Sequence, residues 1–305
     1  MELLIGRRQK FGIVCDEWLE YKKMRIKEST YANYKFKITN YLKKDFGDRN
    51  LKEIANTNLN RYIEELQFKL SSKTVKDITT ILKSILKYAE RKYNLDFKLD
   101  LISIPLTTSK EAEVFNERER IKIENYILDS EDIKNVGILI SMYTGLRIGE
   151  VCALKWSDID LENRKIRIKH TIQRIYMSKN NTKVIITSPK TKKSVREIPL
   201  AKILYQKLKG FSKKYPKDAF ILTGKKEKTI EPTGYRYTYN RLLKKCNIPY
   251  KKFHCLRHTF ATRCIRVGMD VKSLSEILGH SNVSVTLGIY VHSSFKIKKK
   301  FIDKL

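Results

Sequence analysis

Cysteine is scarce in this chain, and its arrangement excludes two common ways of stabilising a small domain. The 305 residues include five cysteines, an odd number, and none of them forms a CxxC pair. A disulfide framework needs paired cysteines, and a structural zinc site needs closely spaced thiolates or histidines. We therefore expect reduced thiols, as in the cytoplasm, and no bound metal. The cysteines, most of them inside apolar helical patterns, are Cys15, Cys152, Cys246, Cys255 and Cys264.

Long apolar runs, repeats and glycine-rich loops are also missing. No stretch has the length of a membrane span or the pattern of a secretory signal, so the sequence predicts neither a membrane partner nor export. No glycine-rich loop of the kind that cradles phosphates is present, and no internal repeat or low-complexity tract appears. These absences predict a cytoplasmic globular protein that uses no cofactor.

Acidic residues are the scarce charged group. Lys and Arg number 64 against 33 Asp and Glu, which gives a net charge of +31. Up to Ile104 there are 22 basic and 14 acidic residues, and the remainder has 42 and 19. A positive excess attracts nucleic acid, and most of it lies in the C-terminal part. Solvated lysine-rich faces without a partner are the alternative that charge alone leaves open.

The hydrophobic pattern predicts two domains. Hydrophobic residues make up 41% of the chain, enough to bury a core in each of two ordinary domains. Weak periodicity and a Pro/Thr/Ser-rich stretch predict a linker at residues 105–112, between domains at 1–104 and 113–305. The first domain reads as a small helical bundle whose basic outer faces either contact DNA or are merely solvated. Its predicted helices cover residues 11–24, 31–42 with Ser29-Thr30 as N-cap, 57–70 and 72–93.

The C-terminal domain combines helices with alternating segments. Residues 165–175, 184–187 and 195–200 alternate apolar and polar positions, which predicts a small antiparallel β-sheet. The fold class expected for the whole chain is therefore mainly α with a small antiparallel sheet. The remaining segments are predicted to be helices beginning at Asn116, at residues 133–143, 148–154, 201–213 and 234–245, and three more between His254 and Tyr290.

The stretch from Phe253 to Tyr290 gathers the most chemically capable side chains. His254 and Arg257 stand three apart and share a helix face. Gly279 is suited to end a helix, so His280 follows directly after a helix end, and the phenol of Tyr290 lies on the next helix. Without a metal-ligand set, these groups indicate chemistry on a bound anion such as a phosphodiester. His254 and His258 have a spacing that can bind zinc, but no third ligand is evident.

Two further segments carry candidate residues. In TGLRIGEVCALKWSDID, Arg147 and Glu150 share a helix face, for which a surface ion pair is the simple alternative. The turn SPKTKKS at residues 188–194 holds Lys190, Lys192 and Lys193, and solvated turn lysines are its simple alternative.

These segments together resemble the tyrosine recombinase (phage integrase) family. TGLRIGEVCALKWSDID, SPKTKKSVREIPL, HCLRHTFATRCI, LGH and a tyrosine ten residues on follow the order of that family's catalytic elements. The resemblance covers residues 113–290 well, and the N-terminal helices are similar to the family's SAM-like core-binding domain. It implies a site-specific DNA recombinase that cleaves and rejoins strands through a 3′-phosphotyrosyl intermediate.

The resemblance also implies roles for individual residues. Two arginines clamp the non-bridging oxygens, the first histidine accepts the tyrosine's proton, and the lysine protonates the leaving 5′ oxygen. The second histidine hydrogen-bonds a non-bridging oxygen, and Glu150 orients an arginine or histidine beside it. The catalytic positions are Arg147, Lys190, His254, Arg257, His280 and Tyr290, with Glu150 as an accessory residue.

The partners implied are double-stranded core DNA sites, a homo-tetramer on two such sites, and an excisionase or other accessory protein. The basic tail after Tyr290 is either passed to a neighbouring subunit or a frayed terminus. Since the first predicted helix begins near residue 11, we expect no arm-binding domain. The sequence favours a mobile-element integrase over an Xer-like chromosome-dimer resolvase or invertase, and both over a non-catalytic DNA-binding protein of the same fold.

Overall fold

The computed structural model describes residues 9–106, 112–187, 195–280, 282–290 and 303. The chain folds into two compact units. One contains Met1–Lys110 with Ile175–Lys183, and the other contains Glu111–Arg174 with Val184–Leu305. Most of the predicted linker, at residues 107–111, lies outside the described part. Helices dominate both units and the strands form small antiparallel sheets, so the predicted fold class is confirmed.

The first unit is built from helices around one apolar core. Trp18 of the first helix, Ile38 and Leu82 are each at most 2% exposed. The helices are α1 (Phe11–Lys23), α2 (Glu28–Lys37), a π-helical segment (Ile38–Leu42), α3 (Lys43–Phe46), α4 (Leu51–Ala55), α5 (Leu59–Lys69) and α6 (Ser72–Tyr93).

Two details of this unit differ from the sequence prediction. Ser29-Thr30 is not the N-cap of the second helix, which begins at Glu28 with Lys27 as N-cap. A glutamate in the first turn is favoured by the helix dipole, and this places both hydroxyl residues inside the helix. The short helix α4 was not predicted, because five residues are too few to show a helical period. A capping box between Asn50 and Glu53 marks its start.

Helix α8 forms the centre of the second unit. Ile138, Leu139, Ile140 and Met142 are all fully buried, and a helix that is apolar on every side belongs inside a core. Helix α12 packs directly on α8. The helices are α7 (Glu117–Asp129), α8 (Ile133–Thr144), α9 (Ile148–Ala153), α10 (Lys202–Ser212), α11 (Pro232–Lys245), α12 (His254–Arg266), α13 (Val271–Leu278) and α14 (Val283–Tyr290).

The strands form two sheets. They are β1 (Ile159–Asp160), β2 (Lys165–Ile168), β3 (Thr171–Ser178), β4 (Asn181–Thr187) and β5 (Arg196–Pro199). One sheet has the order β1-β2-β5 with antiparallel pairing, and β3 pairs with β4 in the other.

The prediction of one continuous strand over residues 165–175 was wrong. The chain leaves the first sheet after Ile168 and enters the second at Thr171. Ile166, Ile168 and Ile172 are all buried and in phase, but the position between the last two is His170, which is polar and exposed, so the interrupted alternation was a signal of the break.

Candidate active site

Arg147 and Glu150 form a capping box at the start of α9. The Arg147 backbone N–H donates to Glu150 Oε2 at 2.9 Å, and Arg147 Nη1 donates to Glu150 Oε1 at 3.1 Å. The Glu150 side chain is only 4% exposed, while that of Arg147 is 40% exposed. The pair is therefore not a solvated surface ion pair, because its carboxylate is inside the protein and its guanidinium reaches the surface.

Arg196 on β5 completes this group, and sequence reasoning missed it. Its Nη1 and Nη2 donate to the two Glu150 oxygens at 3.2 and 3.1 Å, and its Nε donates to the backbone oxygen of Ile277 at 2.5 Å. A signal was available, since Arg196 has the same strand parity as the buried Ile198 and so points inward.

The Glu150 carboxylate is held in its charged form. Burial by itself raises the pKa of a carboxyl group, but the charge and hydrogen bonds of Arg196, followed by those of Arg147, lower the pKa of Glu150 below its ordinary value. Glu150 is therefore a fixed negative charge between two guanidinium groups. It is suited to orient Arg147 and unsuited to exchange protons near neutral pH.

Arg257 lies almost completely inside the protein and binds two helix ends. Its side chain is 1% exposed. Nη1 donates to the Gly145 carbonyl, just past α8, at 2.8 Å, and Nη2 donates to the Leu278 carbonyl, at the end of α13, at 2.9 Å. Helix ends leave carbonyls without intrahelical partners, and these two accept from the guanidinium. Nη2 also lies 2.7 Å from His280 Nε2.

His280 is positioned by the end of α13. Gly279 has φ +66° and ends the helix in the left-handed conformation, as its position predicted. On its other side the imidazole places Nδ1 2.7 Å from Thr286 Oγ1. Burial, the Arg257 charge and the Arg147 charge lower the pKa of His280 to about 4, so the ring is neutral near pH 7.

His254 is the first residue of α12, and its ring meets that of His258 edge-on with centroids 4.5 Å apart. Part of the side chain is exposed to solvent. Even so, desolvation, followed by the charges of His258 and Arg257, lowers the pKa of His254 to about 4. The neutral imidazole can accept a proton at neutral pH.

The structure describes the side chains of most, but not all, of the predicted site residues. Arg147 and Arg257 both act electrostatically on the rings of His254 and His280, which places these four side chains in one neighbourhood. Lys190 lies outside the described residues. Tyr290 is the last residue of α14, and its side chain is outside the described atoms. Within the described part of the chain, no three His, Cys, Asp or Glu side chains are grouped to hold a metal ion, and none of the helices combines the length and the apolar character that a membrane span needs.

This arrangement is suited to chemistry at a phosphodiester. Guanidinium groups bind phosphate oxygens bidentately and stabilise the extra negative charge of a pentacoordinate phosphorus. Neutral histidines beside them can move protons. Helix α14, which ends at Tyr290, packs on α12 and α13.

The fold and these residues define a tyrosine recombinase. Residues 114–296 match the phage integrase family, and residues 10–67 match the phage integrase N-terminal SAM-like domain. The chain belongs to this family, whose members cleave and rejoin DNA by transesterification, and the predicted family is thereby confirmed.

Particular relatives include both an XerC-like recombinase and integrases of mobile elements. The chain is 30% identical to a tyrosine recombinase XerC-like protein of Caldanaerobacter subterraneus subsp. tengcongensis, over 96% of this chain and 82% of the relative. It is 27% identical to the integrase of Staphylococcus phage L54a, over 97% and 92%. Its fold matches the structure of the Tn1549 transposon integrase in complex with transposon right end DNA, with a TM-score of 0.78, 24% identity and coverage of 97% and 99%.

Proposed function

We propose that the chain is the site-specific recombinase of a mobile element and cleaves double-stranded DNA with Tyr290. The observation that carries this proposal is the pair of anchored arginines. Arg147 is held by the buried Glu150, and Arg257 is held by two helix-end carbonyls, so both guanidinium groups are ordered before DNA binds. Preorganised charge of this kind is often the largest catalytic contribution, and losing one donor costs roughly a hundredfold or more in rate.

In the proposed reaction the Tyr290 oxygen attacks the phosphorus while the bond to the 5′ oxygen breaks. His254, neutral at pH 7, accepts the phenol proton, and Lys190 donates a proton to the leaving oxygen. The product is a 3′-phosphotyrosyl ester and a free 5′ hydroxyl. That hydroxyl then attacks the ester of a partner strand, so the energy of the broken bond is conserved in the protein–DNA link and neither ATP nor a metal is required.

The domain assignment follows the same proposal. Residues 1–104 bind core DNA, residues 105–112 link the domains, and residues 113–305 carry the chemistry. The matches of the SAM-like and integrase families support this division. We further propose a homo-tetramer on two DNA sites, assisted by an excisionase or another accessory protein, acting in the cytoplasm, where DNA is accessible and the five unpaired thiols stay reduced.

A trapping experiment tests the nucleophile. Wild-type protein is incubated with a library of nicked duplexes made from the DNA that flanks its gene, and covalent adducts are separated on a denaturing gel. We expect an adduct with wild-type protein and none with Tyr290→Phe. Tyr237→Phe is the control, since this α11 tyrosine is 74% exposed and lies away from the candidate site residues in sequence. An adduct with Tyr290→Phe, or none with wild type, contradicts the proposal.

The second candidate function is an Xer-like chromosome-dimer resolvase, which the XerC-like relative favours. Repeating the trapping with nicked fragments of the whole genome, and sequencing the captured DNA, separates the two. Element ends support the integrase, and a single chromosomal site near the replication terminus supports the resolvase. A protein that binds these sites tightly but traps none of them would be the non-catalytic DNA-binding protein.

A further inference from the structure

We infer that Thr286 is a positioning residue that holds the ring orientation of His280 and anchors the helix that carries Tyr290. The inference rests on the proposed function for its effect on cleavage, but its structural part stands on hydrogen bonds and burial alone. Thr286 belongs to none of the groups that the sequence singled out.

The tautomer follows from the chemistry of arginine. Guanidinium has N–H donors and no acceptor, so the 2.7 Å contact between Arg257 Nη2 and His280 Nε2 requires an unprotonated Nε2. The neutral ring then carries its proton on Nδ1. The 2.7 Å contact on that side is therefore Nδ1–H donating to Thr286 Oγ1.

This assignment changes the role of His280. The family resemblance implies that the second histidine donates to a non-bridging phosphate oxygen, whereas an Nε2 lone pair can only accept. In this arrangement His280 Nε2 accepts a hydrogen bond from Arg257 Nη2 and so helps to orient the guanidinium group. The orientation of the ring and that of the guanidinium are then coupled, and Thr286 holds the ring on the side opposite Arg257.

Burial gives Thr286 its second role. Thr286 is fully buried, whereas the apolar side chains Val283, Val285 and Leu287 of the same helix are 37%, 43% and 45% exposed. Among the side chains of α14 that the structure describes, Thr286 alone is buried. It precedes Tyr290 by four residues, about one helical turn. The hydrogen bond to His280 thus fixes the helix of the proposed nucleophile at one point, beside the ring that contacts Arg257.

The test compares Thr286→Val, which keeps the shape and removes the hydroxyl, with Thr286→Ser, which keeps the hydroxyl. Ser284→Val on the exposed side of α14 is the matched control. We expect Thr286→Val to slow adduct formation on the order of tenfold at saturating DNA, with unchanged DNA affinity, because orienting partners of this kind contribute about that much. Thr286→Ser and Ser284→Val should stay within about twofold of wild type.

A spectroscopic measurement keeps the inference independent of catalysis. In nitrogen-15 spectra of histidine-labelled protein at pH 7, His280 should carry its proton on Nδ1 in wild type and in both Thr286 variants, because the Arg257 contact excludes a proton on Nε2. The Nδ1 resonance should shift in Thr286→Val, where the hydrogen bond to Oγ1 is lost, and should not shift in Thr286→Ser. A wild-type ring protonated on Nε2 would overturn the inference, as would equal cleavage rates for Thr286→Val and wild type. If wild-type protein forms no adduct, the proposed function fails while the spectra still decide the tautomer.

Discussion

Glu150 shows how a single carboxylate can set the geometry of a charged site. It accepts hydrogen bonds from Arg147, three residues before it, and from Arg196, which is 46 residues away in the chain. Arg196 is almost fully buried and Arg147 is partly exposed, so one guanidinium group binds the carboxylate from the interior and the other from the surface. The exposed member is the one proposed to meet phosphate.

Arg196→Met tests the buried part of this arrangement. Removing one partner of a buried ion pair leaves an uncompensated charge, and we expect a loss of roughly 3 kcal/mol in the free energy of unfolding, measured with urea. Arg167→Met is the control. Arg167 also bridges two carboxylates, of Asp160 and Glu197, but its side chain is 39% exposed, so its loss should cost less than about 1 kcal/mol. Equal losses in the two variants would contradict this account.

Helix ends position the arginines, and Gly145 is the most constrained of them. It ends α8 with φ +67°, and its carbonyl accepts from Arg257. A Cβ at this position would lie 2.6 Å from a methyl carbon of Leu278 and 2.7 Å from the ring of Phe260. Both its backbone conformation and its surroundings therefore favour glycine.

Gly145→Ala and Gly268→Ala separate these two effects. Gly268 also has a positive φ, of +91°, but a Cβ there would meet nothing within 4 Å. We expect Gly268→Ala to cost about 1 kcal/mol from backbone strain, and Gly145→Ala to cost more and to slow adduct formation as well. Thermal unfolding and the trapping assay measure the two. If both variants lose the same stability, crowding around Gly145 has no part in positioning Arg257.

How well a feature can be predicted from the sequence depends on how far apart in the chain the interacting residues are. Helices with long apolar periods, such as α6 at Ser72–Tyr93, were predicted with their ends, because the signal lies within the segment itself. The π-helical segment, the strand break after Ile168 and the burial of Glu150 were not, since each depends on packing against distant parts of the chain. Arg196 was missed because its partner Glu150 is 46 residues away, although its strand parity pointed inward, and Thr286 was missed because nothing in a helical pattern shows that its hydroxyl reaches the ring of His280.

For the whole molecule, positive charge favours DNA binding and at the same time destabilises the folded state. The net charge of +31 attracts phosphates, but the like-charged side chains also repel one another. Neutral histidines reduce that repulsion where the arginines gather. His254 and His280 both have a pKa lowered to about 4, mainly by desolvation and then by neighbouring positive groups.

Stability should therefore fall as the pH is lowered from about 6.5 towards 4. In that interval the unfolded histidines bind protons and the folded ones do not, so protonation favours the unfolded chain. We expect His280→Gln to show a smaller loss of unfolding free energy between pH 6.5 and 4.5 than wild type. An unchanged slope in His280→Gln would contradict the lowered pKa.

The bond between Arg196 and Glu150 has a further consequence for the lysine that follows β4. Lys190 is six residues before Arg196, so an extended chain lets it travel at most about 20 Å from that residue. Because Arg196 is hydrogen-bonded to the carboxylate that also binds Arg147, chain length limits how far the proposed proton donor can lie from the arginine proposed to bind phosphate.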